Sequence, residues 1–575
     1  MGSTMRAAAA AVMAASCLGG SVHAQTRQQV DACQGRSNVP PETVIAGCTA
    51  LVQSGKYAGH DLATVLVIRA TAWQGKGEPD RAIQDYDQAI KLDPGDATAY
   101  YNRGVAYGGK GEWDRAIQDY DQAIKHHPDD AAAFRSRGLA YQEKKQFDRA
   151  IQDFDQAVKL DPKDAMAFAW RAGLYLRKDE FDHAINDYDQ AVRLGPASAA
   201  NFYNRGLAHS GKGQWDRAVE DYDEAIKLDP KLEAAFYNRG FALEKQGELD
   251  RAIQDFDRAI TLEPDDAAAF ASRGSAWQRK GELDRAIEDF GRAIRINGRD
   301  ATSFYNRALA WTAKKQWDPA LQDLDRAIEL DPRDASAFAY RGVAWQRKGA
   351  LDRALHDLDR AIELDPGLAV AFAYRGAVHG TKGEWDQAIR DYSRAIEIDP
   401  HDAATFHNRG VARSRKEQWD AAVADFDRAI ELDPNDASAF HNRGLAHQRM
   451  GQADLAARDF GRAVELDPND AAAFALRGAI WQRKGDLDHA LQDYDRALAV
   501  DPNDATTLYN RGVAYAGKRQ WAEALRDYDQ AVKVNPKFAA ALYNRGVAKQ
   551  QMGDRAGADS DIAAARNIDP NIGKQ

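Results

Sequence analysis

The sequence predicts an all-α fold, a solenoid of antiparallel helix pairs, on three observations. The 34-residue pattern of Ala97–Asp130 recurs without insertion from residue 63 to residue 572, which makes fifteen units. A fixed period of this length marks a supersecondary unit stacked on copies of itself. Within the unit Tyr100, Gly104 and Tyr107 fall three or four residues apart, and so do Ala116, Tyr120 and Ala123, which is the spacing of two helical faces. Lys110-Gly111 separates the two halves and Pro128 stops the second.

Composition narrows the function classes. Hydrophobic residues make up 44% and charged residues 29% of the 575, a balance that excludes disorder. A net charge of −11 argues against nucleic acid or an anionic membrane surface as the main partner. Beyond residue 24 no stretch is apolar enough to serve as a transmembrane segment.

At the N-terminus, Arg6, the apolar run Ala7–Leu18, Gly19-Gly20-Ser21 and Val22-His23-Ala24 have the form of a cleavable export signal over residues 1–24. A lipid anchor on Cys17 is the alternative, although Ala14 does not suit the start of that motif. Residues 25–62 form an N-terminal cap in this scheme. In an oxidising compartment Cys33 and Cys48 pair most simply with each other, with free thiols or half a metal site as the alternative. Pro40-Pro41-Glu42 starts a helix that runs to about Gln53, ended by Gly55 and Gly59. This helix is expected to cover the exposed face of the first unit.

Inside the array the small residues set the packing distance. The places of Ala116 and Ala123 hold alanine in all fifteen units, and the Gly104 place holds glycine twelve times and alanine three times, as Ala70, Ala172 and Ala308. A side chain larger than methyl there overpacks the contact. Asp130 is placed to cap the next first helix. Asp or Ser stands at eleven of the fourteen such junctions, including Asp96, Asp164 and Ser198. The last unit carries Asp559, Ser560, Asp561 and Asn567 as a soluble outer face, and residues 573–575 are a tail.

Tyr100, Gly104, Tyr107, Ala116, Tyr120 and Pro128 reproduce, in order, the signature of the tetratricopeptide repeat family, which the chain resembles over residues 63–572. One departure runs throughout: Arg103 and its counterparts stand where that family often has leucine. Single units drift, with Gly298 for the proline and His209, His379, Arg413, His447 and Lys549 for the second aromatic. The resemblance implies a right-handed superhelix, on the order of two turns for fifteen units, with a groove lined by the first helices.

Arg103 is arginine, and Asp119 aspartate, in every unit. Both flank the seam between the two helices, so a structural ion pair is expected within a unit or between neighbours, with a ligand-facing arginine ladder as the alternative. On the face of the first helix opposite its expected core stripe lie Thr98, Tyr101, Asn102, Val105, Gly108 and Gly109. The asparagine recurs as Asn204, Asn238, Asn306, Asn408, Asn442, Asn510 and Asn544, and an amide suits a peptide backbone of any sequence. Such a row is similar to the asparagine ladder of the O-linked N-acetylglucosamine transferase superhelix. Tyr203, Tyr237, Tyr305, Tyr509 and Tyr543 follow Tyr101, and Arg177, Arg279, Arg347, Arg415, Arg449 and Arg483 lie near the helix end. Together these form the candidate partner-binding groove. Five of the six arginines fall between Arg279 and Arg483, where a segment with acidic side chains is expected to dock. No lysine stands beside the asparagines, which disfavours clamping of a terminal carboxylate.

No nucleophile elbow, phosphate loop or metal motif occurs. His407 and His441, in equivalent places of adjacent units, are too far apart to share a metal. The expectation is therefore a non-enzymatic scaffold of the cell envelope, periplasmic or secreted, without cofactor or metal, that binds a protein or peptide segment in its groove. A solenoid that binds a glycan or small ligand is the alternative.

Overall fold

The structure, a computed structural model, describes residues 24–34 and 39–573. The expected export signal up to His23, Cys17 and the tail residues Lys574 and Gln575 lie outside the described residues. Among the described residues there are 32 helices and no strand. The chain forms two compact units, Met1–Lys280 and Gly281–Gln575, and each is a stack of consecutive helix pairs.

The first unit begins with α1 (Ala24–Cys33) and α2 (Pro41–Gln53), joined by the Cys33–Cys48 disulfide with Cα atoms 4.6 Å apart. Helix α1 lies outside the sequence expectation. Gly47 lets it approach, since a Cβ there would stand 2.8 Å from Ala32 Cβ and from the Cys33 amide nitrogen. Cys33, Cys48 and Leu51 are buried with Val65 of α3 (Gly59–Gly75), so this hairpin covers the first repeated pair. Gly59 opens α3, four residues ahead of the 34-residue register, instead of closing α2. Its positive φ of 54° makes it part of the turn between the two.

From α3 and α4 (Pro79–Leu92) onward the chain alternates a first helix, A, with a second, B, as in α5 (Ala97–Gly109) and α6 (Trp113–His126). The thirty helices from α3 to Arg555–Ile568 fit roughly fifteen repeats. The A–B turn needs one left-handed residue. Glycine supplies it at Gly111 (φ 77°), whereas Lys145, Asp179, Lys315, Glu417 and Arg519 adopt φ of 58° to 60° at the same place, at roughly 1–2 kcal/mol each.

The Gly104 place is small because the ring of Tyr120 lies directly on it: an added Cβ would meet Tyr120 Cε1 at 2.8 Å. Gly138 meets Phe154, and Gly410 meets Phe426, at the same distance. The Ala116 and Ala123 places are buried in both units. Ten junction aspartates cap the next A helix through backbone N–H groups. Ser198 makes no such bond. Gly195 precedes it where other loops hold an aspartate that accepts the N–H two residues on, as Asp161 does from Lys163. That loop therefore lacks the Asx turn that presents the cap. In Arg555–Ile568, Asp559, Ser560 and Asn567 face solvent but Asp561 is buried, because it occupies the seam place.

Candidate interaction site

The seam arginine joins three helices. Arg103 Nε and Nη2 donate to the two carboxylate oxygens of Asp119 at 2.8 and 2.6 Å, and Nη1 donates to Asp87 of the preceding B helix at 2.6 Å. Asp119 is 4% exposed. Arg137, Arg171 and Arg239 in the first unit, and Arg341, Arg375, Arg443, Arg511 and Arg545 in the second, repeat all three bonds. The Tyr100 ring lies 5.6 Å from the Arg103 guanidinium, and Phe134 and Phe406 do the same for Arg137 and Arg409. This is how the chain carries arginine in place of leucine: bidentate pairing supplies the charge partner and a flat ring covers one face. Burial pushes the Asp119 carboxyl above its usual range in spite of Arg103.

The units that drift from the second aromatic are explained by the same aspartate. One turn past the seam arginine, Arg413 Nη1 donates to Asp425 at 2.8 Å and Lys549 reaches Asp561 at 2.8 Å. His209 and His447 lie 3.7 Å from Asp221 and Asp459, and His379 lies 3.8 Å from Asp391. All five substitutions thus place a second cationic or cation-capable group beside a buried carboxylate. Asp561 is lowered on this account. Burial raises it, but Arg545 and Lys549 together outweigh that effect.

A second ladder escaped the sequence analysis. Lys110 Nζ reaches Asp80 of the preceding unit at 2.7 Å, Lys178 reaches Asp148 at 3.1 Å, Lys416 reaches Asp386 at 2.6 Å, and Lys484 bonds Asp454. The signal was available as a lysine and an aspartate kept 30 residues apart.

The candidate groove residues divide. Tyr101 and Val105 pack against the core of Ala116, Tyr120 and Ala140, and Gly108 is buried with Trp113 against it. These three do not form an open face, because the A helix packs on its own B helix and on the next A helix and is covered on a wider arc than the expected stripe. Tyr203, Tyr237, Tyr305 and Tyr509 are placed like Tyr101, half-buried against the core. Asn102, Asn204, Asn306 and Asn510 are half-buried as well, and Asn408 is exposed. Several asparagines form rungs to the preceding A helix: Asn238 Nδ2 donates to Tyr203 OH and Asn544 Nδ2 to Tyr509 OH, both at 3.1 Å. Asn442 Nδ2 donates to His407 Nε2 at 3.1 Å, which leaves His407 Nδ1–H to donate to Asp436 at 2.7 Å. His441 is turned toward Asp470 in the same way, at 2.6 Å.

The arginines near the A-helix ends stand out. Arg177 lies over the Phe147 ring at 5.3 Å, and Arg279 donates to the Glu244 carbonyl at 2.8 Å and to its carboxylate at 3.1 Å. Arg347, Arg415, Arg449 and Arg483 are exposed and form no ion pair among the described residues. No helix among the described residues is long and apolar enough to cross a membrane.

Family models place these features among known proteins. A model for the cilia and flagella-associated protein 70 C-terminal domain matches residues 6–271. Tetratricopeptide repeat models match residues 272–334, 305–369, 381–416, 414–480 and 476–541. No curated protein matches the chain. Among solved structures, YrrB, a TPR protein with an unusual peptide-binding site, is 28% identical over 33% of this chain and 97% of its own, with a TM-score of 0.29. Yeast Tom70 is 17% identical, covering 74% of this chain and 96% of its own, with a TM-score of 0.36. The Cut9–Hcn1 structure of the APC/C matches at 15% identity over 82% of this chain and 93% of its own, with a TM-score of 0.38. On the family models and the helix pairs together, the chain carries tetratricopeptide repeats.

Proposed function

We propose that the chain is a non-enzymatic protein–protein interaction scaffold of the cell envelope that binds a partner segment along its A helices. One contrast carries this reading. The charges that repeat in every unit are bonded within the fold, whereas the A-helix ends of the second unit keep exposed arginines that the fold does not use. Crosslinking the mature chain in envelope extract tests it. One dominant protein crosslinked at Asn408, Asn442 or the arginines supports the reading, and crosslinks confined to the B helices overturn it.

The proposed layout is an export signal over residues 1–24, a disulfide-pinned cap over 25–62, fifteen repeats over 63–572 and a tail, in an exported protein of bacterial type, periplasmic or secreted. The signal pattern and the Cys33–Cys48 bond support it, since disulfides persist in oxidising compartments. A mature chain beginning at Gln25 is the expected result of intact-mass measurement. A second reading, glycan binding, is favoured by one observation: half-buried Tyr305, Tyr340 and Tyr374 follow one another edge to face on successive A helices, with ring centroids 5.8 and 6.0 Å apart, a row of aromatic groups and hydroxyls of the kind sugars contact. Retention of the chain on immobilised glycan, lost on Tyr340→Ala, would favour that reading.

A further inference from the structure

We infer that the second compact unit docks an extended acidic peptide along Arg347, Arg415, Arg449 and Arg483. This rests on the scaffold reading and narrows it to a partner chemistry.

The argument starts from what the other cations do. In a chain with 88 acidic and 77 basic residues, a basic side chain readily finds a carboxylate, and the neighbours of these four arginines have done so. Lys348, Lys416 and Lys484, each the next residue in sequence, reach Asp318, Asp386 and Asp454 of the preceding repeats. On the same helices Arg341, Arg409, Arg443 and Arg477 hold the seam aspartates. The four end arginines instead remain exposed and form no ion pair among the described residues. They are also free of like-helix competition. The eight A helices between Ala301 and Gln551 contain no aspartate or glutamate, although the chain as a whole is acidic.

A role in neutralising the negative end of the helix dipole does not account for them. Ala313, Thr381, Gly517 and Gln551 occupy the same place in other repeats of this unit, and those helices end without a cation there. The row is therefore local, confined to repeats between residues 335 and 504.

Its spacing selects the ligand. Successive A helices touch, as where Asn442 Nδ2 reaches His407 Nε2 at 3.1 Å, so they lie apart by about the 8–10 Å of packed helices, and an extended chain advances about 3.3 Å per residue. One repeat thus corresponds to about three residues of peptide. Carboxylates at every third position meet Arg415, Arg449 and Arg483 in turn. The site of Thr381 is passed over, and Arg347 meets a carboxylate about six residues from the one at Arg415. Guanidinium groups recognise carboxylates with two parallel N–H bonds.

Fluorescence anisotropy with the full chain tests the inference, using a labelled peptide that repeats Glu-Ser-Gly and its counterpart that repeats Gln-Ser-Gly. The glutamate peptide is expected to bind, and the glutamine peptide to bind at least about tenfold more weakly. Replacing all four arginines by glutamine is expected to remove that difference while leaving the circular dichroism spectrum and urea midpoint unchanged. Equal binding of the two peptides, an unchanged preference in the quadruple variant, or tighter binding of single-stranded oligothymidylate than of the glutamate peptide would overturn the inference. Those results would leave the scaffold reading standing if crosslinks from envelope extract still map to the A helices. If the crosslinks map elsewhere, the scaffold reading falls by its own test.

Discussion

In Met1–Lys280 the cations at the ends of the A helices are exposed but each has a partner: Arg177 lies on Phe147, Lys245 on Phe241, and Arg279 on Glu244. Acids also occur on these helices, as Glu143, Glu233 and Glu244. In Gly281–Gln575 the corresponding helices carry no acid, and Arg347, Arg415, Arg449 and Arg483 are exposed and form no ion pair among the described residues. The bidentate pair of the seam arginine with the aspartate 16 residues on recurs in both units. One repeated sequence thus has two layers under different constraint. A seam residue must match partners on two neighbouring B helices, so it hardly varies. An edge residue touches little of the fold, and its variation from repeat to repeat is available for recognition.

The sharpest test compares two arginines on one helix, Ala471–Arg483. Arg477→Ala strips the guanidinium from Asp493, which is 4% exposed, and should cost about 3 kcal/mol, as loss of one partner of a buried pair does. Arg483→Ala should shift stability by less than about 0.5 kcal/mol. Urea unfolding with amide exchange over residues 471–500 measures both, and equal effects would break the distinction between seam and edge. Next in size is the A–B turn at Glu417, φ 59°. Glu417→Gly should raise stability by about 1 kcal/mol, seen as a higher urea midpoint, because glycine adopts the left-handed region without penalty.

A smaller effect concerns the third seam bond. Gly461 stands where most repeats have the aspartate that Asp87 exemplifies, and a Cβ there would lie 3.3 Å from Arg477 Nη1. Gly461→Asp should exceed Gly461→Asn in stability by about 0.5 kcal/mol, the asparagine variant serving to remove the charge at equal shape. The smallest effect is with pH. The Asp561 carboxyl is depressed below 3.8 by Arg545 and Lys549, so its contribution is present above that value and lost as pH falls through the folded-state value. Asp255 is raised by burial over Arg239, so its shift contributes below 3.8 and is lost as pH rises. Exchange protection of Ala539–Ile568 should therefore fall relative to Glu233–Leu262 on acidification below 3.8, and the reverse order would contradict this account of the last repeat.

Much of this was legible in advance, for local reasons. The Pro41 helix ended at Gln53 because proline at a helix start and glycine after it act within a few residues. The helix pairs followed from spacing alone. Legibility failed where one helix meets another. His209, His379, Arg413, His447 and Lys549 read as drift from an aromatic, yet each addresses a seam aspartate twelve residues on. Tyr101 read as open because a wheel drawn for one helix omits the next A helix, which covers it together with its own B helix.

By itself, then, the sequence determined the period, the helix pairs and the small residues that set their separation, since backbone conformation and close packing within a pair act over a few residues. The tertiary structure alone decided which carboxylate each cation finds. Arg103 binds 16 residues forward and 16 back, and Lys110 binds 30 residues back. Asp119 is brought within reach by the docking of the two helices of one pair, and Asp87 and Asp80 by the docking of one pair on the next. The same docking leaves Arg347, Arg415, Arg449 and Arg483 without a carboxylate to hold.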